Sequence, residues 1–473
     1  MSLRFVRFAV IALVSICSSC ALHEASQTPP TVPAAFEKSS GESAASWPGK
    51  DWFAQFGSPE LQALVQQAAS NNLDLTMARA RVLQADARAR QAGAAILPNI
   101  DVGGNGNYLA GHSSNGSAHE TDWAVLLSAS YEIDFWGKNR AIARAAGLLA
   151  DASRADRDTL ELTTLAGLTN EYFQVLSLRD RLAIAAENLD AAQKLLDAVQ
   201  ARFDAGLSNP VELATQKAIL ASAALVIPQL KQQEDEALAA TALLLGRAPE
   251  QFTVEGRSLD SLLEPVVAPG LPSELLTRRP DVFMAEAQLR SANANLVAAR
   301  AALFPSFSLT AAGGLQNPAL NAAVITLSGV GPTLNLGASI TQPIFDGGRL
   351  RAQRAEAQAK DEELVAAYRS AILSALVDVE NALASLHHLE DARALQEQNV
   401  AQSTRAFEGA TLRYHAGTGD FLTVLEAQRT LFAARDQYSQ YRLARFQALV
   451  ALCKALGGGW QGPRLMSSNK EMP

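Results

Sequence analysis

The chain has 473 residues, of which 48% are apolar but only 6% aromatic, and its formal net charge is −8. An acidic chain with no basic run is poorly suited to nucleic acid, and the surplus of Ala and Leu suits long, closely packed helices better than a globular core with large aromatic anchors. Of the three cysteines, Cys17 falls in the leader, Cys20 at its processing site and Cys453 in an apolar run, so no structural disulfide is expected.

Residues 1–19 read as a signal peptide, with Arg4 and Arg7 in the charged region and an apolar stretch from Phe8 to Ile16. It closes on Cys17-Ser18-Ser19-Cys20, which looks like a bacterial lipoprotein processing site with Cys20 as the lipid anchor, although Cys17 stands where an aliphatic residue is usual. Ala21, rather than Asp, follows the anchor, which favours transfer to the outer membrane. Residues 20–57 then form an N-terminal segment that opens as a tether rich in Pro, Ser, Thr and Ala. Past residue 20 no window approaches the ~18 uninterrupted apolar residues of a membrane helix, so entry into a bilayer must use strands.

From residue 58 the chain says the same thing twice. Pro98 corresponds to Pro305, Gly137 to Gly347, and Arg202-Phe203-x-x-Gly206 to Arg413-Tyr414-x-x-Gly417, offsets of 207, 210 and 211. The first copy, 58–245, runs helix, strands at about 99–109 and 122–135, and a helical hairpin at 138–205 and 209–245. After an intervening segment at 246–278, the second copy, 279–456, repeats this with strands near 305–315 and 333–345 and a hairpin at 348–416 and 420–456. Residues 457–473 are a C-terminal segment and tail. A repeat this long is a duplicated domain rather than a solenoid unit.

The strands alternate with period two. Trp123, Val125, Leu127, Ala129, Tyr131, Ile133 and Phe135 share one face, against Asp122, Ser128, Ser130, Glu132 and Asp134 on the other. In the second copy Leu334, Leu336, Ala338 and Ile340 oppose Thr333, Asn335, Gly337, Ser339 and Thr341. Tyr108, Trp123, Phe135, Trp136, Phe304 and Phe345 sit near strand ends like an interfacial girdle, and polar loops at 111–121 and 316–332 suit the outside of a cell. A soluble sandwich also alternates, but it wants about seven strands, and these four are split by more than 150 residues of helix. Four strands in lipid leave two edges whose unpaired backbone groups each cost several kcal/mol. Two copies would give a filled eight-stranded barrel and three a twelve-stranded one able to hold a channel.

Lys138 to Ala205 and Arg349 to Ala416 contain no Pro; at 1.5 Å per residue each run makes a helix of roughly 100 Å. Leu182, Ala185, Leu189, Ala192, Leu196, Val199 and Phe203 form a heptad seam, displaced by one residue from Leu162, Leu165, Thr169 and Tyr172. The return helix carries Leu220, Ala223, Ile227, Leu230, Ala237 and Leu244, interrupted by Pro228. Ala-rich flanks favour hairpins touching two neighbours round a tube over a single antiparallel coiled coil. Gly206 and Gly417 suit left-handed caps, and Asn209 and Asp420 suit N-caps of the returning helices.

The strings Gly270-Leu-Pro-Ser-Glu-Leu-Leu-Thr-Arg-Arg-Pro-Asp281, Ala285-Glu286, Ala292-Asn293-Ala294, Ala299-Arg300-Ala301 before Phe304-Pro305, Gln342-Pro-Ile-Phe-Asp-Gly-Gly348 and Lys454-Ala-Leu-Gly-Gly-Gly-Trp460 resemble the TolC-like outer membrane factors. The resemblance covers essentially the whole mature chain and is to the lipoprotein branch of efflux channels. It implies an α+β membrane protein: a homotrimer with four strands per protomer in one twelve-stranded barrel, a periplasmic α-helical barrel, and a small mixed equatorial domain holding Arg247 to Leu276 and the C-terminal segment. It further implies a passive outer-membrane channel, loaded with drugs or other small molecules by a periplasmic adaptor and an inner-membrane pump of the resistance-nodulation-division class. No cofactor is expected beyond the N-palmitoyl and S-diacylglycerol lipid on Cys20. Such channels narrow at the second tip, where Leu422, Glu426 and Arg429 match the family's gate, with Glu426 replacing the commoner Asp. The tip residues Gly206, Asn209, Gly417 and Asp420 are the expected adaptor contacts.

Spacings of four and three put Leu422, Glu426 and Arg429 on one helical face. The plain alternative is an ordinary surface ion pair worth well under ~1 kcal/mol. Asp420 and Arg413 read as a cap and a local pair rather than as gate residues. No P-loop, G-x-S-x-G or HExxH string occurs, and the six scattered His, with His387 and His388 on different helix faces, make a poor metal set, so an enzyme is not expected. The alternatives are the channel of a type I protein secretion system and, in a different class, a periplasmic coiled-coil structural or adaptor protein.

Overall fold

The computed structural model describes residues 33, 35–37, 47–113, 116–250, 252–267, 270–317 and 331–462. The leader, Cys20, most of the tether, the centre of the second outer loop and the tail from residue 463 lie outside the described residues. In chain order the elements are α1 (Pro59–Asn71), α2 (Leu73–Ala94), β1 (Asn99–Ser113), β2 (Gly116–Ile133), α3 (Lys138–Asp204), α4 (Pro210–Leu244), α5 (Leu275–Arg278), α6 (Pro280–Ala301), β3 (Ser306–Asn317), β4 (Gly331–Thr341), α7 (Arg349–His415) and α8 (Phe421–Ala455). They divide into two compact units, one formed of residues 81–153 and 284–369 and one of 30–80, 154–283 and 370–473.

The first unit is built on a four-stranded antiparallel sheet in the order β1-β2-β3-β4. The two hairpins join through β2 and β3, with Ile133 opposite Phe307 and Trp123 opposite Asn317. β1 and β4 are its edges. Directly opposed residues share a face, so Val125, Leu127, Ala129 and Ile133 continue into Leu315, Ala311 and Phe307 and then into Leu336 and Ile340. That face is apolar and outward in character: Val102, Leu127, Leu334 and Leu336 are more than half exposed. At one end of the sheet Trp136 stacks on Phe304 at 4.7 Å, donates its indole N–H to the Pro305 carbonyl at 2.8 Å, and turns its edge toward Phe135.

The strands differ from their sequence expectations. β1 and β2 do not stop at a polar loop over 111–121; the ladder continues through Tyr108 opposite Thr121 and Ala110 opposite His119 to Ser113 opposite Gly116. Alternation ends where apolar residues end, but backbone pairing needs no apolar side chain, so the hairpin outlasts its pattern. At the other end β2 stops at Ile133 rather than 135, because the Asp134 carboxylate accepts from the Asn139 and Arg140 backbone N–H groups and starts α3. β4 likewise ends at Thr341, short of 345, and β3 runs on to Asn317.

In the second unit the helical cores are narrower than the seams read from sequence. On α3, Ala185, Ala192 and Val199, seven residues apart, are buried, joined by Leu195 rather than Leu196. On α4 the matching seven-residue line is Gln216, Ala223, Leu230 and Ala237. Around 164–178 α3 is buried on nearly every side, because the segment 252–263 and the N-terminal residues 52–65 wrap it. There Trp52, Phe56, Phe173 and Phe446 form a chain of edge-on and tilted rings, with Phe56–Phe173 at 5.0 Å and Phe173–Phe446 at 5.1 Å. Glu60 fixes the wrapping segment by accepting from the Glu255 and Gly256 N–H groups, and Arg179 holds it by donating to the Val254 carbonyl at 2.7 Å. Cys453 is fully buried in this core, and burial pushes its thiol up to about 12, which makes it inert.

Two of the strings that carry the resemblance, Gly270 to Asp281 and Lys454 to Trp460, meet in this unit. Arg279 is buried and satisfied by Asp281 at 2.6 Å, Asp378 at 2.9 Å and the Ala455 carbonyl at 3.0 Å, so one guanidinium ties α6 to α7 and α8. Gly457 must be glycine, because its φ is +85° and a Cβ would collide with the Arg278 carbonyl. Trp460 then donates to Asp158 at 2.8 Å.

α4 has an 18-residue stretch of mean hydropathy 1.3, long and apolar enough by composition to cross a membrane, and only 11% of that stretch is buried in the protomer. Gln216, Lys217 and Pro228 interrupt α4, which therefore has no uninterrupted apolar run.

Because Phe56 is fully buried among three other rings, Phe56→Ala should cost about 3–5 kcal/mol. A thermal melt of the purified protein should show a clear fall in midpoint; an unchanged midpoint contradicts this core.

Candidate gate at the helical hairpin tips

Both hairpins turn with the same backbone device. At the first, the Leu207 N–H donates to the Arg202 carbonyl at 2.8 Å and the Gly206 N–H to that of Phe203 at 2.9 Å, with Gly206 at φ +69°. At the second, Thr418 donates to Arg413 and Gly417 to Tyr414, both at 3.0 Å, with Gly417 at φ +76°. These paired bonds are the Schellman closure, which needs a left-handed residue and therefore favours Gly. Each return helix is then capped by a side chain: Asn209 accepts from the Glu212 N–H at 2.9 Å, and Asp420 from the Thr423 N–H at 2.9 Å and its hydroxyl at 2.6 Å. Asp420 is thus a cap, as its position suggested, and the bonds from Thr423 hold its carboxyl below the ordinary carboxylate value. Arg413 contributes its carbonyl to the turn.

Beneath this shared backbone the tips differ in what they bury. Phe421 stands where the first tip has Pro210, and it packs on Tyr414 at 6.2 Å beside Leu195, Val199, Ala410 and Val424. Arg202 lies over the Tyr414 ring at 4.9 Å, a cation–π contact. The Tyr414 hydroxyl is buried without a hydrogen-bond partner, and burial raises its pKa. α8 is tied to α3 by Gln428 donating to Asn188 at 3.2 Å, by Arg435–Glu187 at 2.8 Å and by Arg181–Asp436 at 2.7 Å. None of these contacts was read from sequence. The signal for the first was local, a Phe where the other copy has Pro; the others join residues more than 200 positions apart, which no helical periodicity reveals.

Leu422, Glu426 and Arg429 all lie exposed on α8, and Leu422 is 68% accessible. Val424, Gln428 and Leu431 on the opposite side are buried. Among the described residues Glu426 and Arg429 form no ion pair with each other or with another residue of the protomer. The geometry therefore brings the three onto one free face but does not pair them within one chain. A groove of about 620 Å³ runs beside the second tip, lined by Arg405, Gly409, Arg413 and the turn from Gly417 to Asp420.

A family profile described as outer membrane efflux protein matches residues 64–247 and 271–458, which are the two copies of the repeat. The chain belongs to this family. It is 45% identical to the pyoverdine export outer membrane protein OpmQ of Pseudomonas aeruginosa over 431 residues, covering 89% of this chain and 90% of that protein. It is 31% identical to the cation efflux system protein CusC of Escherichia coli, covering 87% of this chain and 88% of that protein. The solved structure of the outer-membrane channel OprN superposes with a TM-score of 0.86 at 28% identity, covering 93% of this chain and all of that one. As a member of the outer membrane efflux proteins, the chain is an outer-membrane efflux channel of α+β fold and not an enzyme.

Two outcomes follow at the second tip. Tyr414→Phe removes a hydroxyl that has no partner and keeps the ring under Arg202, so limited proteolysis at the tip should be unchanged or slower. Tyr414→Ala should speed it, by a cavity cost of about 3–5 kcal/mol. The cap of Asp420 titrates and that of Asn209 does not. Because the Asp420 value is lowered by folding, its contribution is complete above the ordinary carboxylate range and fades as pH falls through the lowered value. Amide exchange at Thr423 should accelerate on acidification through that window while exchange at Glu212 does not, and Asp420→Asn should abolish the difference.

Proposed function

We propose that three copies of this chain form the outer-membrane channel of a tripartite efflux system and pass small molecules outward. The observation that carries the reading is the apolar surface a single protomer leaves open. α4 is apolar by composition yet few of its residues are fully buried, with Leu225 58% and Leu243 72% exposed. In the sheet, Leu336 is 76% and Ile340 69% exposed at an edge strand. Exposed apolar area on this scale marks interaction surface: lipid suits the outward sheet face, and further copies of the same chain suit the open edges of β1 and β4 and the flanks of the helices. Three copies supply twelve strands for the barrel and six hairpins for the helical tube.

The channel has no chemistry of its own to select cargo, so selection falls to its partners, a periplasmic adaptor at the tips and an inner-membrane pump of the resistance-nodulation-division class. Likeness to a protein named for pyoverdine export supports a small organic cargo over a protein. Leu422, Glu426 and Arg429 form the periplasmic gate; Glu426 and Arg429, unpaired within the protomer, meet their counterparts across the threefold axis. Cys20 carries the N-palmitoyl and S-diacylglycerol anchor, and residues 20–57 lead from it into the equatorial segment.

In planar bilayers, Glu426→Ala combined with Arg429→Ala should raise the single-channel conductance of the purified channel severalfold; unchanged conductance removes these residues from the gate. Cys20→Ser should abolish incorporation of labelled palmitate, and persistent labelling contradicts the anchor.

A further inference from the structure

We infer the register in which β4 of one protomer pairs with β1 of the next around the barrel. The inference rests on the trimeric reading above and adds to it a residue-by-residue seam. Its source is the duplication. The hairpin β1–β2 opens with Asn99 opposite Ser130, and the hairpin β3–β4 with Ser306 opposite Thr341. β1 therefore maps onto β3 with an offset of 207 and β2 onto β4 with an offset of 211. The β2–β3 junction inside one protomer is then the template for the β4–β1 junction between two.

Carried across, Leu127 opposite Gly313 becomes Ala338 opposite Gly106 of the neighbouring copy. Likewise Val125 with Leu315 becomes Leu336 with Tyr108, Ala129 with Ala311 becomes Ile340 with Gly104, and Ile133 with Phe307 becomes Ile344 with Ile100. All of β4, Gly331 to Thr341, finds a partner between Gly103 and Ser113, inside the observed length of β1.

Two independent features agree with this register. The first is facing. Ala338 shares a face with Leu309, and Gly106 with Trp123, so the apolar outer set meets itself; a one-residue slip would set Ile340 against the polar face of β1. The second is bulk. At the internal junction Gly314 lies opposite Leu126, and a Cβ there would run into Val125 and Leu126. The derived seam keeps one glycine at that level but on the other strand, with Gly337 opposite Asn107. Three pairs along, Ala129 and Ala311 are replaced by Ile340 and Gly104, again trading one large side chain against none.

The test is disulfide trapping in the full-length chain, in isolated outer membranes. Ala338→Cys is combined in turn with Gly104→Cys, Gly106→Cys and Tyr108→Cys. These three positions share a face and a hydrogen-bonding class, so distance alone separates them: directly opposed Cβ atoms lie about 4.5–5.5 Å apart and diagonal ones about 7–8 Å, while a disulfide needs about 3.5–4.5 Å. Cys453 is fully buried and does not compete. The Gly106→Cys combination should give the strongest covalent dimer and trimer bands on a non-reducing gel, several times those of the other two. Leu336→Cys with Tyr108→Cys, a second opposed pair, should also cross-link. A maximum at Gly104→Cys or Tyr108→Cys, or no bond in variants that still migrate as heat-labile trimers, overturns the register and leaves the trimer standing. Migration of the parent chain as a monomer before heating overturns both.

Discussion

A strand in hydrocarbon has no water to satisfy its edge, and the described residues of this chain make four strands with an edge on each side. Everything else in the architecture follows from that shortage. The sheet cannot be enlarged within the chain, because each copy of the repeat has spent its remaining length on a helix of 67 residues and a return of 35. It can only be completed by repetition, first within the gene and then among protomers. The helices face the same arithmetic: a lone hairpin buries one narrow alanine line and leaves its flanks open, so association closes the sheet and the helical layer together.

Within the protomer the fold is secured by a few polar anchors at the level of the wrapped segment rather than by a broad core. Arg279 holds three helices through two carboxylates and a carbonyl. Burying a charge in this way is costly unless it is fully partnered, and here every partner is supplied by a different part of the chain. Glu60 and Arg179 do the same for the segment 252–263, with the aromatic chain from Trp52 to Phe446 filling the space between. Toward the hairpin ends the ties are single polar contacts: Arg181–Asp436, Glu187–Arg435 and Asn188–Gln428 join α3 to α8, Gln216 joins α4 to α3, and Gln396 joins α7 to α8.

Much of this was legible in the residues. Periodicity of two and of seven separates strand from helix cleanly, and the Gly and Asx signals mark both turns because the Schellman closure and the N-cap are local devices. The length of the outer hairpin was not legible, because from Tyr108 to Ser113 pairing runs through the backbone while the side chains have ceased to alternate. Nor was the Arg279 cluster, whose partners lie up to 176 residues away. At the tip, the matching string marked Leu422, Glu426 and Arg429, but the tie between α3 and α8 and the tyrosine under Arg202 are products of packing.

The central claim is that one protomer is an incomplete object and that three complete it. The most direct measurement is the mass of the purified, detergent-solubilised particle by native mass spectrometry, which counts subunits without reference to any residue. A single species of three chains is the predicted result. A stable monomer, or a dimer closing only eight strands, would contradict the account.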